Sequence, residues 1–298
     1  MILGVPWRRF LRDLYREVQE HHLSNGAAAL GFWLTLAVFP AMIFVMAIIP
    51  YLPVAQVDVA IMDLLRQVLP QSAADLFPGV VADVVRQQRG GILSFGALAT
   101  LWAASSGMYA IMQELNITYE VREGRNFLRA RGTALGLSIL FAVLVVGAFS
   151  LVVAGGLLQE WIGRRVGFEV GLLVFFEAFR WVMILVALLL GFALVYYLGP
   201  DVKQRFAFIT PGSVLGALLL VAASLGFKFY VANFGNYNAT YGSIGAVIIL
   251  MFWLYIAGLV MLLGSEVNAL IEHYAPNGKE KGERAPARPG SGNSNPML

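Results

Sequence analysis

The stretch Tyr241–Tyr274, YGSIGAVIILMFWLYIAGLVMLLGSEVNALIEHY, constrains this chain more than any other. It leaves a glycine-containing turn and runs from Ile244 to Gly264 without a charged residue. A helix rises about 1.5 Å per residue, and about 20 apolar residues cross the hydrocarbon of a bilayer. The stretch therefore predicts a transmembrane helix, with Glu266 and Asn268 placed where the hydrocarbon ends. Composition agrees: the chain is 59% hydrophobic and 13% charged, whereas a soluble domain is about 25% charged. Comparable apolar runs recur along its whole length. The expected fold is all-α, a polytopic membrane helix bundle with six transmembrane helices.

The segments follow from the same pattern. Residues 1–24 carry Trp7, Phe10, Leu11, Leu14, Tyr15 and Val18 at helical spacing among Arg8, Arg9, Arg12 and Arg16. They predict an N-terminal amphipathic helix on the cytoplasmic surface, and this charged stretch does not read as a cleaved signal. Residues 25–274 form the membrane domain, with spans at about 27–51, 92–115, 133–158, 176–198, 208–231 and 244–264. Pro40 interrupts the first span, and Ala27/Gly31, Gly132/Gly136 and Gly212/Gly216 offer small-residue faces for close packing. Residues 52–91 alternate charge with apolar positions and predict amphipathic helices on the outer side. Residues 275–298, rich in Pro, Gly, Ser and Asn, predict a disordered cytoplasmic tail. Of the 21 Lys and Arg residues, 14 fall on the side of the termini, six fall on the other side, and Lys228 lies within the fifth span. The positive-inside rule puts both termini in the cytoplasm, as an even number of spans requires.

Few residues stand out as chemistry. Glu114-Leu115-Asn116 and Glu266-Val267-Asn268 form an E-x-N pair at the inner ends of spans two and six, each preceded by a tryptophan, Trp102 and Trp253. This is a weak parallel echo between two helices of the same direction. These carboxylates are either interfacial caps or a cation, proton or headgroup-amine site at the inner mouth. Lys228 either snorkels to the outer headgroups or provides a fixed positive charge within the bundle. Together with the E-x-N residues it makes up the candidate substrate path: Lys228, Glu114, Asn116, Glu266 and Asn268. Arg122, Arg125, Arg129 and Arg131 form the densest basic patch. They set topology and are candidates for lipid phosphate.

Other chemistries lack machinery. With no Cys there is no thiol nucleophile, thiolate metal site or disulfide framework. Histidine occurs only at 21, 22 and 273, and no Asp or Glu is expected at metal-ligand spacing with the first two. No nucleophile elbow, phosphate-binding loop or catalytic carboxylate pair is present. The net charge of +3 does not argue for nucleic acid. No enzyme activity, catalytic residue, metal or cofactor is expected.

The pattern Ala27-Ala28-Ala29-Leu30-Gly31-Phe32-Trp33 with Phe39-Pro40 resembles the first span of the YihY/BrkB family of membrane proteins. So do Trp102, Glu114-Leu115-Asn116, Arg125, Pro200 and Pro211-Gly212 with Gly216. The closing Tyr241-Gly242-Ser243-Ile244-Gly245-Ala246, Trp253-Leu254-Tyr255 and Gly264-Ser265-Glu266-Val267-Asn268-Ala269 are the most specific part, and the resemblance covers about residues 10–272. It implies a bacterial inner-membrane protein with six spans, from a family once mislabelled ribonuclease BN and linked to serum resistance and to lipopolysaccharide or lipid export. It implies no catalytic residues. The broken first span, Lys228 within the fifth, the E-x-N pair near the inner mouth and the small-residue faces motivate the expected function, a transporter or flippase-like protein for a lipid or amphipathic anion. The alternative is a non-transporting scaffold or regulator of envelope assembly. Its expected partners are membrane lipids, and its small-residue faces are compatible with a homo-oligomer.

Overall fold

The computed structural model describes residues 5–48, 62, 78–79, 90–166, 170–204, 206–234 and 243–275. The expected outer amphipathic helices of 52–91 fall almost wholly outside these residues, and so does nearly all of the expected tail. Among the described residues the principal elements are seven helices: α1 (Trp7–Glu20), α2 (Leu23–Ile48), α3 (Gly90–Thr118), α4 (Phe127–Val166), α5 (Val170–Leu198), α6 (Pro211–Phe234) and α7 (Ser243–Tyr274).

Among the described residues five stretches are long and apolar enough to cross a membrane: Leu23–Ala41, Phe127–Gly147, Ala178–Leu198, Pro211–Asn233 and Ile244–Tyr274. They belong to α2, α4, α5, α6 and α7. The expected second span corresponds to α3, whose 29 residues are long enough on helical rise alone but are not among those five. Several helices outrun the apolar segments that announce them. Span three was expected at 133–158, yet α4 covers Phe127–Val166, and α7 continues ten residues past Gly264 to Tyr274. Hydropathy reports the bilayer, whereas a helix continues wherever its backbone hydrogen bonds can close.

The helices α3, α4, α5, α6 and α7 pack in a sequential ring, and α2 lies between α3 and α7 and against both. Glycine permits the closest approaches. A Cβ at Gly31 would stand 3.2 Å from the Tyr255 backbone nitrogen, so α2 and α7 meet almost backbone to backbone. A Cβ at Gly212 would strike the Gly264 carbonyl, which joins α6 to α7 in the same way. By contrast, nothing lies within 4 Å of a Cβ at Gly132 or Gly136. That expected GxxxG face is open rather than packed.

The described core is concentrated where α2 begins and α3 and α5 end. Leu23, Leu30, Met112, Leu115, Ala134, Leu137, Phe192, Val195, Tyr196 and Leu262 form one buried cluster there. The outer faces of α4, α5 and α6 show Ile139, Val143, Trp181, Leu185, Leu218 and Leu225 to the surroundings. Such a surface suits lipid, where apolar side chains need no burial and the backbone is satisfied within each helix.

The N-terminal helix α1 departs from a simple amphipathic pattern. Its packed face holds Phe10, Asp13 and Glu17, while Trp7, Leu11 and Tyr15 are exposed. Phe10 packs with Val267 and Leu270 of α7, and the Tyr274 hydroxyl donates to Asp13. That bond, assisted by Arg12, Arg16 and Arg9, holds the Asp13 carboxyl below its usual range against the opposing effect of burial.

Candidate functional site

The turn between α1 and α2 sets the geometry at this end of the bundle. The His21 N–H closes the last turn of α1 on the Glu17 carbonyl. His22 then takes the left-handed conformation, φ 49°, and α2 starts at Leu23. This reversal turns the His21 ring inward. Its Nδ1 and the Glu266 Oε1 are 2.6 Å apart, and the Glu266 side chain is almost fully buried. The Nε2 faces two more carboxylates, Glu120 at 3.6 Å and Glu17 at 3.8 Å. Burial disfavours charge on the imidazole, but the Glu266 hydrogen bond and the charges of Glu266, Glu17 and Glu120 outweigh it. The His21 pKa consequently lies above its ordinary value.

Glu120 arrives from the turn that ends α3. Its φ is 54°, and the Val121 N–H reaches back to the Asn116 carbonyl at 2.9 Å, a left-handed helix termination. Two residues before Glu120, Thr118 meets Ser265, and the two buried hydroxyls share a 2.6 Å contact that ties α3 to α7.

The two E-x-N motifs do equivalent work. The Asn116 Oδ1 accepts the Asp201 N–H at 2.7 Å, and the Asn268 Oδ1 accepts the Gly212 N–H at 2.8 Å. Both asparagines therefore hold the connection between α5 and α6, one at each end. At the second end Thr210 and Ser213 cap α6 reciprocally through backbone and side chain, with Pro211 at the first helical position. The glutamates face the α1–α2 corner instead. The Glu266 carboxylate meets His21, and the Glu114 carboxylate lies so close to Gly26 that a Cβ there would collide with it.

The basic candidates separate into different roles. Arg125 forms a fork with Glu123, through Nε to Oε1 at 2.7 Å and Nη2 to Oε2 at 2.8 Å. Its Nη2 also donates to the Gly199 carbonyl at 2.8 Å, so it latches the α3–α4 loop onto the end of α5. Burial opposes the Glu123 charge, but the Arg125 bonds prevail and hold its carboxyl below the usual range. Arg122 and Arg129 are exposed, and the Arg129 N–H is capped by the Asn126 side chain at the start of α4.

Arg131 is different from all of these. Its guanidinium lies 4.9 Å from the Tyr109 ring centroid, 5.1 Å from Trp102 and 5.9 Å from Phe127. Its Nη1 donates to the Ser106 hydroxyl at 3.2 Å, while its buried Nε has no hydrogen-bond partner. Ser106 precedes Glu114 by eight residues on α3, about 12 Å of helix. The Arg131 cleft is thus deeper along the bundle, and the His21–Glu266 cluster is nearer its tip.

Lys228 joins neither group. It is exposed on α6, sixteen residues beyond Gly212 and so about 24 Å along the helix from the E-x-N end. Of the two readings of Lys228, this exposed position agrees with a side chain reaching the headgroups and not with a fixed charge within the bundle.

Sequence reasoning missed Glu17, His21 and Glu120. One signal was available, since Glu17 lies four residues before His21 and so one helical turn away on the same face. The expectation that no acidic residue stands at ligand spacing with His21 is corrected by that pair. Glu120 could not be joined to it from the sequence, because the contact spans three elements.

A family model described as virulence factor BrkB matches residues 14–289. Among curated relatives, a protein of Bacillus subtilis (strain 168) named as ribonuclease-like protein YfkH is 36% identical over 262 residues, covering 88% of this chain and 94% of that protein. A UPF0761 membrane protein of Aeromonas salmonicida (strain A449) is 25% identical over 273 residues, 89% of each chain. Another, of Alkalilimnicola ehrlichii, is 28% identical over 283 residues, 91% of this chain and 61% of its own. No solved structure matches.

Proposed function

The chain belongs to the BrkB family of membrane proteins, and from that premise we propose that it moves a lipid or other amphipathic anion across the bacterial inner membrane. Arg131 takes the headgroup phosphate in this reading. Six spans carry it, with α3 counted as the sixth, and the basic end with α1 faces the cytoplasm. The reading treats the chain as a carrier and not as a nuclease.

The observation that carries this reading is the state of Arg131. A guanidinium offers donors in a planar fork suited to phosphate, and here one donor is buried and unmatched. A buried donor without an acceptor costs about 1–3 kcal/mol, which an incoming phosphate oxygen would relieve. Trp102 and Phe127, which flank the guanidinium, are each 67% exposed. The cleft is therefore open on its outer side, where a lipid would approach. Arg131 is four residues into α4, about 6 Å from its start, a depth suited to a headgroup. The apolar face of α4 beyond it, with Leu135, Ile139 and Val143 exposed, offers a path for acyl chains.

The test is movement of headgroup-labelled phosphatidylglycerol across liposomes containing the purified protein. Wild type is expected to accelerate it, Arg131→Ala to reduce the rate at least tenfold, and Arg131→Lys to recover only part. If wild type moves neither anionic nor zwitterionic lipid, the transport reading fails and the membrane scaffold becomes the better account.

A further inference from the structure

The α1–α2 corner gathers carboxylates from three separate parts of the chain around one histidine. Glu17 of α1, Glu120 after α3 and Glu266 of α7 converge on the single imidazole of His21. The side chains of Glu17 and Glu266 are 4% and 2% exposed. A protonated imidazole supplies one positive charge to three carboxylates. Arg16 reaches Glu17 Oε1 at 3.5 Å from a largely exposed position. Desolvation penalises each buried carboxylate, so a cation held among them is favoured.

The arrangement also has the order of a metal site. The bond to Glu266 occupies Nδ1, and a carboxylate on one ring nitrogen fixes the tautomer and turns the other nitrogen into a ligand. That other nitrogen, Nε2, lies within 4.8 Å of one oxygen each from Glu17 and Glu120, as those two oxygens do of one another. Ligands around a tetrahedral Zn²⁺ with bonds near 2.0–2.1 Å stand about 3.3 Å apart. The 3.6 and 3.8 Å separations from Nε2 need to close by only a few tenths of an ångström. The oxygens divide the work, since Glu17 turns Oε1 to Arg16 and Oε2 to His21. Glu120 is 29% exposed in its side chain, which gives an ion a way in.

We propose that Glu17, His21 and Glu120 bind a divalent transition-metal ion of the Zn²⁺ class, with Glu266 orienting the imidazole. Two carboxylates and one imidazole are a borderline-hard set, and three protein ligands leave a fourth position for water. The ion ties α1, the α1–α2 turn, the end of α3 and α7 together at one point. This site is independent of the Arg131 cleft and does not rest on the transport reading.

The full-length chain without a histidine tag, purified in detergent and stripped with chelator, is titrated with Zn²⁺ and with Mg²⁺ by calorimetry. Metal content is measured after dialysis. One Zn²⁺ per chain is expected, bound at least 100-fold more tightly than Mg²⁺, with a rise in melting temperature. Glu120→Gln sits on a half-exposed turn and is the variant most tolerant of folding. It is expected to weaken Zn²⁺ at least tenfold and to abolish the rise. Glu266→Gln is expected to weaken binding by about 10–100-fold, as loss of an orienting carboxylate does. Binding well below one ion per chain, or Zn²⁺ affinity unchanged in both Glu120→Gln and His21→Ala, overturns the proposal. The former leaves a histidine bridged by protons alone, and the latter puts the ion elsewhere.

Discussion

At the scale of single residues, the four arginines of the basic patch look interchangeable in sequence but are not in space. Arg125 is committed to Glu123 and to the Gly199 carbonyl, whereas Arg131 keeps an unmatched donor inside an aromatic cleft. Removing Arg125 should therefore cost stability. Arg125→Ala leaves a Glu123 carboxylate that is 13% exposed without its charged donors, a loss of about 1–3 kcal/mol. The cost should depend on pH in a definite direction. The folded Glu123 pKa lies below its ordinary 4.5, so the pair contributes fully above that value and is lost as pH falls through the folded pKa. Melting curves should show a wild-type advantage over Arg125→Ala at pH 7 that narrows as pH falls below 4.5 and closes once Glu123 is protonated in the folded state. An equal gap at pH 7 and in acid would refute the charge-based account of the latch.

At the scale of elements, hydropathy located the helices because a bilayer rewards uninterrupted apolar runs. It misplaced their ends, because polar residues such as Glu160 and Arg164 do not stop α4, which continues to Val166. The E-x-N echo was legible as two similar helix ends. Its purpose was not, because Asp201 and Gly212 lie 85 and 56 residues from the asparagines that hold them. The small-residue pairs were equally visible and unequally used. Gly264→Ala would drive a methyl against the Tyr196 hydroxyl and the Gly212 carbonyl, in a helix crossing with no slack, so it should cost well over about 1 kcal/mol. Gly132→Ala meets nothing within 4 Å and gains up to about 1 kcal/mol of helix propensity. Thermal stability in detergent should fall for the first and hold or rise for the second. A similar loss for both would mean that Gly132 is packed against a second copy of the chain.

At the scale of the whole molecule, the arrangement depends on how many times the chain crosses. The buried polar network, the E-x-N ties and the Arg131 cleft all belong to the end where α2 and α4 start and α3 and α5 stop. They can share one face of the membrane only if α3 crosses along with the five stretches whose length and apolarity already suffice. In the proposed reading that face is cytoplasmic, as the positive-inside count expects. The natural absence of cysteine makes the question direct, since any introduced thiol is the sole target of a membrane-impermeant maleimide. Gln19→Cys and Arg122→Cys should be labelled only from the cytoplasmic side of vesicles. Gly79→Cys and Asn233→Cys, all four positions being exposed, should be labelled only from the outer side. Among the described residues between positions 79 and 122 the one long helix is α3, Gly90–Thr118, so labelling of those two from the same face would remove it from the count of spans. The chain would then cross five times, its termini would lie on opposite sides, and the Arg131 cleft would no longer have a transmembrane helix as one of its walls.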